Sequence, residues 1–315
     1  MCAGSGRPLR SPWELDSGCT ADCAASPGSP GSPGSPGTRV PGVPLGAAVR
    51  RGAALGYVVA RALALGDRLA ADPEVLRARA GAALAALGVR FAASPGPGPL
   101  RVPGARAGTL VVANHISWLD ALVLLAVEPV PLVAKREVAH WPVVGTLARR
   151  AGTRFLDRAR VRALPHAVAR LAEELRAGRS VLVFPQATTW CSAPGGPFRR
   201  AVFQAAADAG APVRPVTLAY EQRGAASTAP AYLGDDDFAT SLRRVLCAAG
   251  LTARVTAHPP LYGDDRRALA AAARSALSPA PGPGPTPGPG LRRTGGGSCC
   301  PATPAGRTCD PLPAP

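Results

Sequence analysis

Apolar and polar positions along this chain alternate between two periods, and the switches between them mark out the elements. From 45 to 71, Val49, Leu55, Val58, Val59, Leu63 and Leu69 recur at helical spacing with Arg50, Arg51, Arg61 and Arg68 beside them, which predicts a long amphipathic helix. A second helix is expected from Pro73 to Leu87, with Gly88 as its stop. Leu110 to Ala113 is a short, wholly apolar run of the kind a strand buried on both faces shows. A helix opened by Ser117 follows it, with an apolar run from Ala121 to Val127. Further strands are expected at 130–134, 152–158, 180–184 and 213–220, and further helices at 141–150, 160–177 and 200–209. In the 160–177 helix, Leu164, Val168, Leu171 and Leu175 keep one face apolar. Strands alternating with helices predict an α/β fold with a mainly parallel sheet flanked by helices, and N-terminal amphipathic helices ahead of it. Ligands of such sheets bind at the carboxyl ends of the strands.

Composition confines that fold to the middle of the chain. Residues 26–37 repeat Ser-Pro-Gly, and residues 278–315 are rich in Pro and Gly with few large apolar side chains. The expected organisation is a disordered tail over 1–44, one domain over 45–277 that includes a helical extension at 45–88, and a second disordered tail over 278–315. The net charge of +16 rests almost wholly on arginine, Lys135 being the one lysine, and favours anionic partners such as phosphates or acidic lipid headgroups. No stripe of aromatics among basic residues is present to stack bases, so nucleic acid is not an expected partner. Of eight cysteines, Cys2, Cys19, Cys23, Cys299, Cys300 and Cys309 fall in the expected tails; Cys191 and Cys247 read as isolated thiols of a reduced compartment, and neither a metal nor a disulfide is expected. Arg7 and Arg10 are followed by no apolar segment, so no signal peptide is expected. Residues 45–71 have no uncharged stretch long enough to span a bilayer but can lie on one.

The turn between the strand at 110–113 and the helix behind it holds the chemistry. His115 and Asp120, five apart, would face different sides of one regular helix, but a strand-turn-helix can fold His115 over the first helical turn. There the Asp120 carboxylate would hold Nδ1–H and leave Nε2 as a base. Ser117 and Asp120 also fit a helix capping box, so a capping Asp beside an ordinary turn histidine is the plainer alternative.

The order of the later segments resembles the PlsC-type phospholipid acyltransferases, whose fold, of the glycerolphosphate acyltransferase kind, carries four sequence blocks. Asn114-His115 to Asp120 matches the first, and Gly152 to Arg158 the second, preceded by Val133 to Glu137 and Trp141 to Gly145. Phe184-Pro-Gln-Ala-Thr188 stands for the third, usually F-P-E-G-T, and Val213-Arg-Pro-Val216 for the fourth. The resemblance implies an enzyme that moves a fatty acyl group from acyl-CoA or acyl carrier protein, a co-substrate rather than a cofactor, to a lysophospholipid hydroxyl, lysophosphatidic acid by default. It implies His115 as general base, Asp120 as its partner, and Arg158, with Arg154 and Lys135, on the acceptor phosphate. Pro185, Gln186, Ala187 and Thr188 complete the implied acceptor site, and the implied location is the cytoplasmic face of the cell membrane, peripherally bound. Gln186 and Ala187 depart from the third block, and restoring Glu and Gly there is expected to improve handling of the acceptor. The alternatives are a lipid-binding homologue that does not turn over and an enzyme for another lyso-lipid such as an ornithine lipid.

Overall fold

The computed structural model describes residues 17–24, 41–93, 98–157, 161–234 and 236–278. The expected tails over 1–16, 25–40 and 279–315, and Arg158, lie outside the described residues.

The first apolar stretch folds as α1 (Leu45–Ala64), a single turn α2 (Arg68–Ala71) and α3 (Pro73–Leu87). The one helix expected over 45–71 is thus broken, at Gly66, whose φ of 56° lies outside the right-handed helical region. The termini of α3 follow from the side chains placed there. Asp72 accepts from the Glu74 N–H at 2.8 Å, and Pro73 has no N–H to leave unsatisfied. Gly88, at φ 73°, turns the chain so that the Val89 N–H reaches back to the Leu84 carbonyl at 2.9 Å.

The remaining elements are β1 (Arg90–Ala93), β2 (Leu110–Ala113), α4 (Leu119–Val127), β3 (Val133–Lys135), α5 (Val144–Arg150), β4 (Arg154–Leu156), α6 (Leu164–Arg176), β5 (Val181–Val183), α7 (Ala201–Ala209), β6 (Val213–Gln222), β7 (Ala225–Ala226), α8 (Phe238–Cys247), β8 (Leu251–Ala257) and α9 (Arg266–Ala276). The main sheet runs β1-β8-β6-β2-β5, with β7 beside β6. It is mostly parallel, as expected, but β8 returns antiparallel to β6, from Val216 opposite Ala257 to Gln222 opposite Leu251. Strands β3 and β4 pair with each other, and a bridge from Leu132 to Leu182 joins them to β5.

All four residues of β2 are buried, because the sheet has a core on each side. Val111 and Ala113 point into a cluster built with Leu84 and Leu87 of α3, Leu119, Val123 and Leu124 of α4 and Val245 of α8. Leu110 and Val112 point into a second, built with Leu171 and Leu175 of α6, Phe203 of α7 and Leu269 of α9. β2 therefore emerges at the centre of the molecule, and whatever follows its carboxyl end is set by both cores.

Two expectations about the N-terminal part change. Cys19 and Ala24, assigned to a disordered tail, are buried in the first core cluster, and Gly42 bridges to Ala248. In α1, Leu55 packs on the first core cluster while Val49, expected on the same face, is exposed together with Leu45 and Tyr57. Among the described residues no helix is long and apolar enough to cross a membrane.

Candidate active site

The carboxyl end of β2 is fixed to β6 by a side chain rather than by the ladder. The Asn114 amide donates to the Leu218 carbonyl at 2.9 Å and accepts from the Leu218 N–H at 2.7 Å, so the strand stops while its partner runs on. The chain then turns. Asp120, in the first turn of α4 and wholly buried, accepts at Oδ2 from the N–H groups of Ile116 at 2.6 Å and Ser117 at 2.9 Å. The Ser117 bond is the returning half of the expected capping box, but the helix itself starts at Leu119.

The same Oδ2 lies 2.8 Å from Nδ1 of His115, and Oδ1 accepts from the Tyr220 hydroxyl at 2.6 Å. Burial, with the Asp120 carboxylate beside it, holds the Tyr220 hydroxyl well above its ordinary pKa, so it stays a donor. With Asp120 acting throughout as acceptor, Nδ1 of His115 carries the proton and Nε2 is left with its lone pair. The imidazole stacks on Phe184, centroids 4.1 Å apart and planes 13° from parallel, and its side chain is 24% exposed. It is thus held in orientation yet open on one side. Both polar groups of the His115 main chain are also bound: its N–H donates to Gln186 Oε1 at 2.8 Å, and its carbonyl accepts from the Trp190 N–H at 2.8 Å.

Gln186 corrects the reading of the third block. The amide is buried, accepts from the His115 N–H, and donates through Nε2 to the carbonyls of Pro194 at 2.8 Å and Gly196 at 3.1 Å. A carboxylate in its place would set negative oxygens against two carbonyl oxygens, so the expected benefit of restoring Glu does not hold here. Gly196 also accepts from Nε of Arg274 at 2.9 Å, which ties α9 to the same loop. Ala187 takes φ 61°, a conformation that favours glycine. Pro185 is buried and its carbonyl accepts from Arg199 N–H at 2.8 Å, and Thr188 is half-buried.

The expected acceptor cations are not assembled in the same way. Arg154 pairs its guanidinium with Glu174 of α6, Nε to Oε1 at 2.6 Å. An ion pair between neighbouring elements is the simpler use of a half-buried arginine, and the block pattern could not show Glu174 opposite it. Lys135 is exposed at the end of β3, opposite Leu156. Tyr220 and Trp190, which hold Asp120 and His115, were not singled out from the sequence. Tyr220 had a signal, since an even register along β6 puts it on the face that carries Val216 and Leu218.

Residues 99–219 match the family model described as Acyltransferase. Over 187 residues the chain is 35% identical to the lyso-ornithine lipid O-acyltransferase of Pseudomonas aeruginosa, covering 58% of this chain and 71% of that protein. The chain belongs to the PlsC-type acyltransferase family. It is also 40% identical over 149 residues to the 1-acyl-sn-glycerol-3-phosphate acyltransferase of Neisseria meningitidis serogroup B, covering 47% of this chain. The match spans 58% of the length of that relative and of its Neisseria gonorrhoeae counterpart. The crystal structure of the 1-acyl-sn-glycerophosphate acyltransferase PlsC from Thermotoga maritima overlaps 70% of this chain and 84% of that one, at 22% identity and a TM-score of 0.48. The family match ends within β6, so in this family member the residues Gly195, Gly196 and Arg274 form a support that runs from inside the matched region to well beyond it.

Proposed function

We propose that this protein transfers a fatty acyl group from a thioester donor, acyl-CoA or acyl carrier protein, to the hydroxyl of a lyso-lipid. The observation that carries the reading is the dyad: a partly open imidazole with Nδ1 held 2.8 Å from a buried carboxylate. Nε2 takes the proton as the acceptor oxygen attacks the thioester carbonyl; Asp120 stabilises the imidazolium; the proton then passes to the departing thiolate. A lipid-binding protein without turnover has no use for a carboxylate with four donors converging on it behind a histidine.

Lysophosphatidic acid is the first acceptor to test, in line with the Neisseria relatives. A lyso-ornithine lipid is the second. It is favoured by the relative matched over the greater length and by Arg154, whose charge is spent on Glu174 instead of a phosphate. The protein works at the cytoplasmic face of the cell membrane, resting on it through the exposed side of α1, where Leu45, Val49 and Tyr57 stand near Arg50 and Arg61.

The test is transfer from labelled acyl-CoA and acyl carrier protein by the purified full chain to each lyso-lipid in turn. His115→Ala is expected to lower the rate by about a thousandfold while circular dichroism is unchanged. Equal rates in parent and variant, or stoichiometric lipid binding with no product, would overturn the proposal.

A further inference from the structure

Ser17 to Ala24 lies against the loop that carries the Trp190 bond to His115. Its centre is a short 3-10 turn, Ala21–Cys23, closed by the Cys23 N–H on the Thr20 carbonyl at 3.0 Å. Cys19 and Ala24 are buried with the first core cluster, against which Cys23, Phe184, Trp190 and Cys191 also pack. The Cys19 carbonyl and Thr20 Cα pass over Gly234, where a Cβ would be in van der Waals contact with them at 3.5 and 3.8 Å. The Cys19 thiol lies within interaction range of the thiol and the main chain of Cys191, which packs on the same core cluster. Two thiols 172 positions apart in the chain thus meet one residue away from Trp190. Apolar packing alone does not require sulfur at either position.

We propose that Cys19 and Cys191 are an oxidisable pair, joined by a hydroperoxide into a disulfide that fastens residues 17–24 to the loop holding the His115 carbonyl. Cys191 reacts first, because it is half-buried whereas Cys19 is 5% exposed. Burial also pushes the Cys19 thiol up, which keeps it protonated while Cys191 is attacked. The Cys191 sulfur attacks one peroxide oxygen, the O–O bond breaks, and a sulfenic acid and one water (or alcohol, from an organic hydroperoxide) result. The Cys19 sulfur then attacks the Cys191 sulfur, the S–O bond breaks, and a second water leaves with the Cys19 proton. Two thiols are oxidised and one hydroperoxide is reduced; a dithiol reverses the change by exchange. The link closes a long loop and so restricts the unfolded chain strongly.

The full chain is treated with a small excess of hydrogen peroxide, alkylated without reduction, digested with trypsin and read by mass spectrometry. Cys19 and Cys23 share the tryptic peptide 11–39, and Cys191 lies in 180–199. The expected result is a cross-link between these peptides that dithiothreitol removes, that persists in Cys23→Ser and that is lost in Cys19→Ser and Cys191→Ser. Oxidation should also raise Tm by roughly 5 °C in the parent and leave it unchanged in Cys19→Ser. Absence of the cross-link in the parent, its survival at full yield in Cys19→Ser, or conversion of Cys191 to a sulfinic acid with Cys19 still alkylatable would each overturn the proposal. None of these readouts requires the protein to transfer an acyl group.

Discussion

Residue 186 shows how one atom decides what a block of sequence means. The family pattern sets a carboxylate there, and Gln186 differs from it only in bearing an amide nitrogen, yet that nitrogen makes two of the three hydrogen bonds its side chain forms among the described residues. Gln186→Glu is expected to destabilise the fold by about 2–4 kcal/mol and to lower transfer, since it removes two donors and buries a charge against carbonyls. Ala187→Gly acts in the opposite direction: relief at φ 61° should add about 1 kcal/mol. Urea midpoints of the two single variants check both signs, and a stabilising Gln186→Glu would refute the account of the loop. Tyr220→Phe removes one of four donors to Asp120 and keeps the packing volume. It should cost transfer roughly tenfold, the equivalent of one charged hydrogen bond. A fall in activity no greater than the fall in folded protein, read from Tm, would assign Tyr220 a purely structural role.

At the scale of elements, legibility followed the steepness of the apolar pattern. β2 and α3 begin and end where the sequence placed them, because an unbroken apolar run, a Pro at the first turn and a Gly after the last leave little choice. β8 went unread although Leu251, Ala253, Val255 and Ala257 alternate with Thr252, Arg254 and Thr256 and are buried in that alternation. What no local pattern encodes is partnership: that β8 runs antiparallel to β6, that Arg154 meets Glu174, or that Gln186 meets the backbone of His115. The dyad itself was legible because its geometry is local to one turn; its supports come from residues 71 and 100 positions away. Partnership also sets the role of Gly88. Arg51 of α1 donates to the carbonyls of Leu246 at 2.8 Å and Ala248 at 2.7 Å, at the end of α8, and its guanidinium lies over Gly88. A Cβ at 88 would come within 2.3 Å of it, and the backbone there is left-handed. Gly88→Ala should therefore cost about 2–3 kcal/mol, and addition of Arg51→Ala should cost less than the sum of the two singles. Additive losses would show that the two positions do not meet.

For the molecule as a whole, the two sides of α1 have separate tasks. Leu55 and Ala62 face inward, so removing the helix would strip α3 rather than isolate a membrane contact. Substitution on the outer side is the cleaner probe. Val49→Glu with Tyr57→Glu, both at exposed positions, is expected to leave Tm within a few degrees of the parent and to weaken partition onto anionic vesicles by roughly tenfold. Undiminished sedimentation of the double variant would move the lipid contact to another surface.

The wide spacing of the dyad's supports has a consequence in time. A ribosome delivers His115 and Asp120 well before Gln186, later Tyr220, and last of all Arg274, whose guanidinium donates to the carbonyls of Gly195 and Gly196. A nascent chain that has just exposed the turn has no β5 or β6 for β2 to pair with, so the histidine has no fixed orientation during most of synthesis. Chains released early at any point before α9 should therefore be inert even when they contain every residue of the family match, and the competent protein should appear in one late step after termination rather than gradually with length.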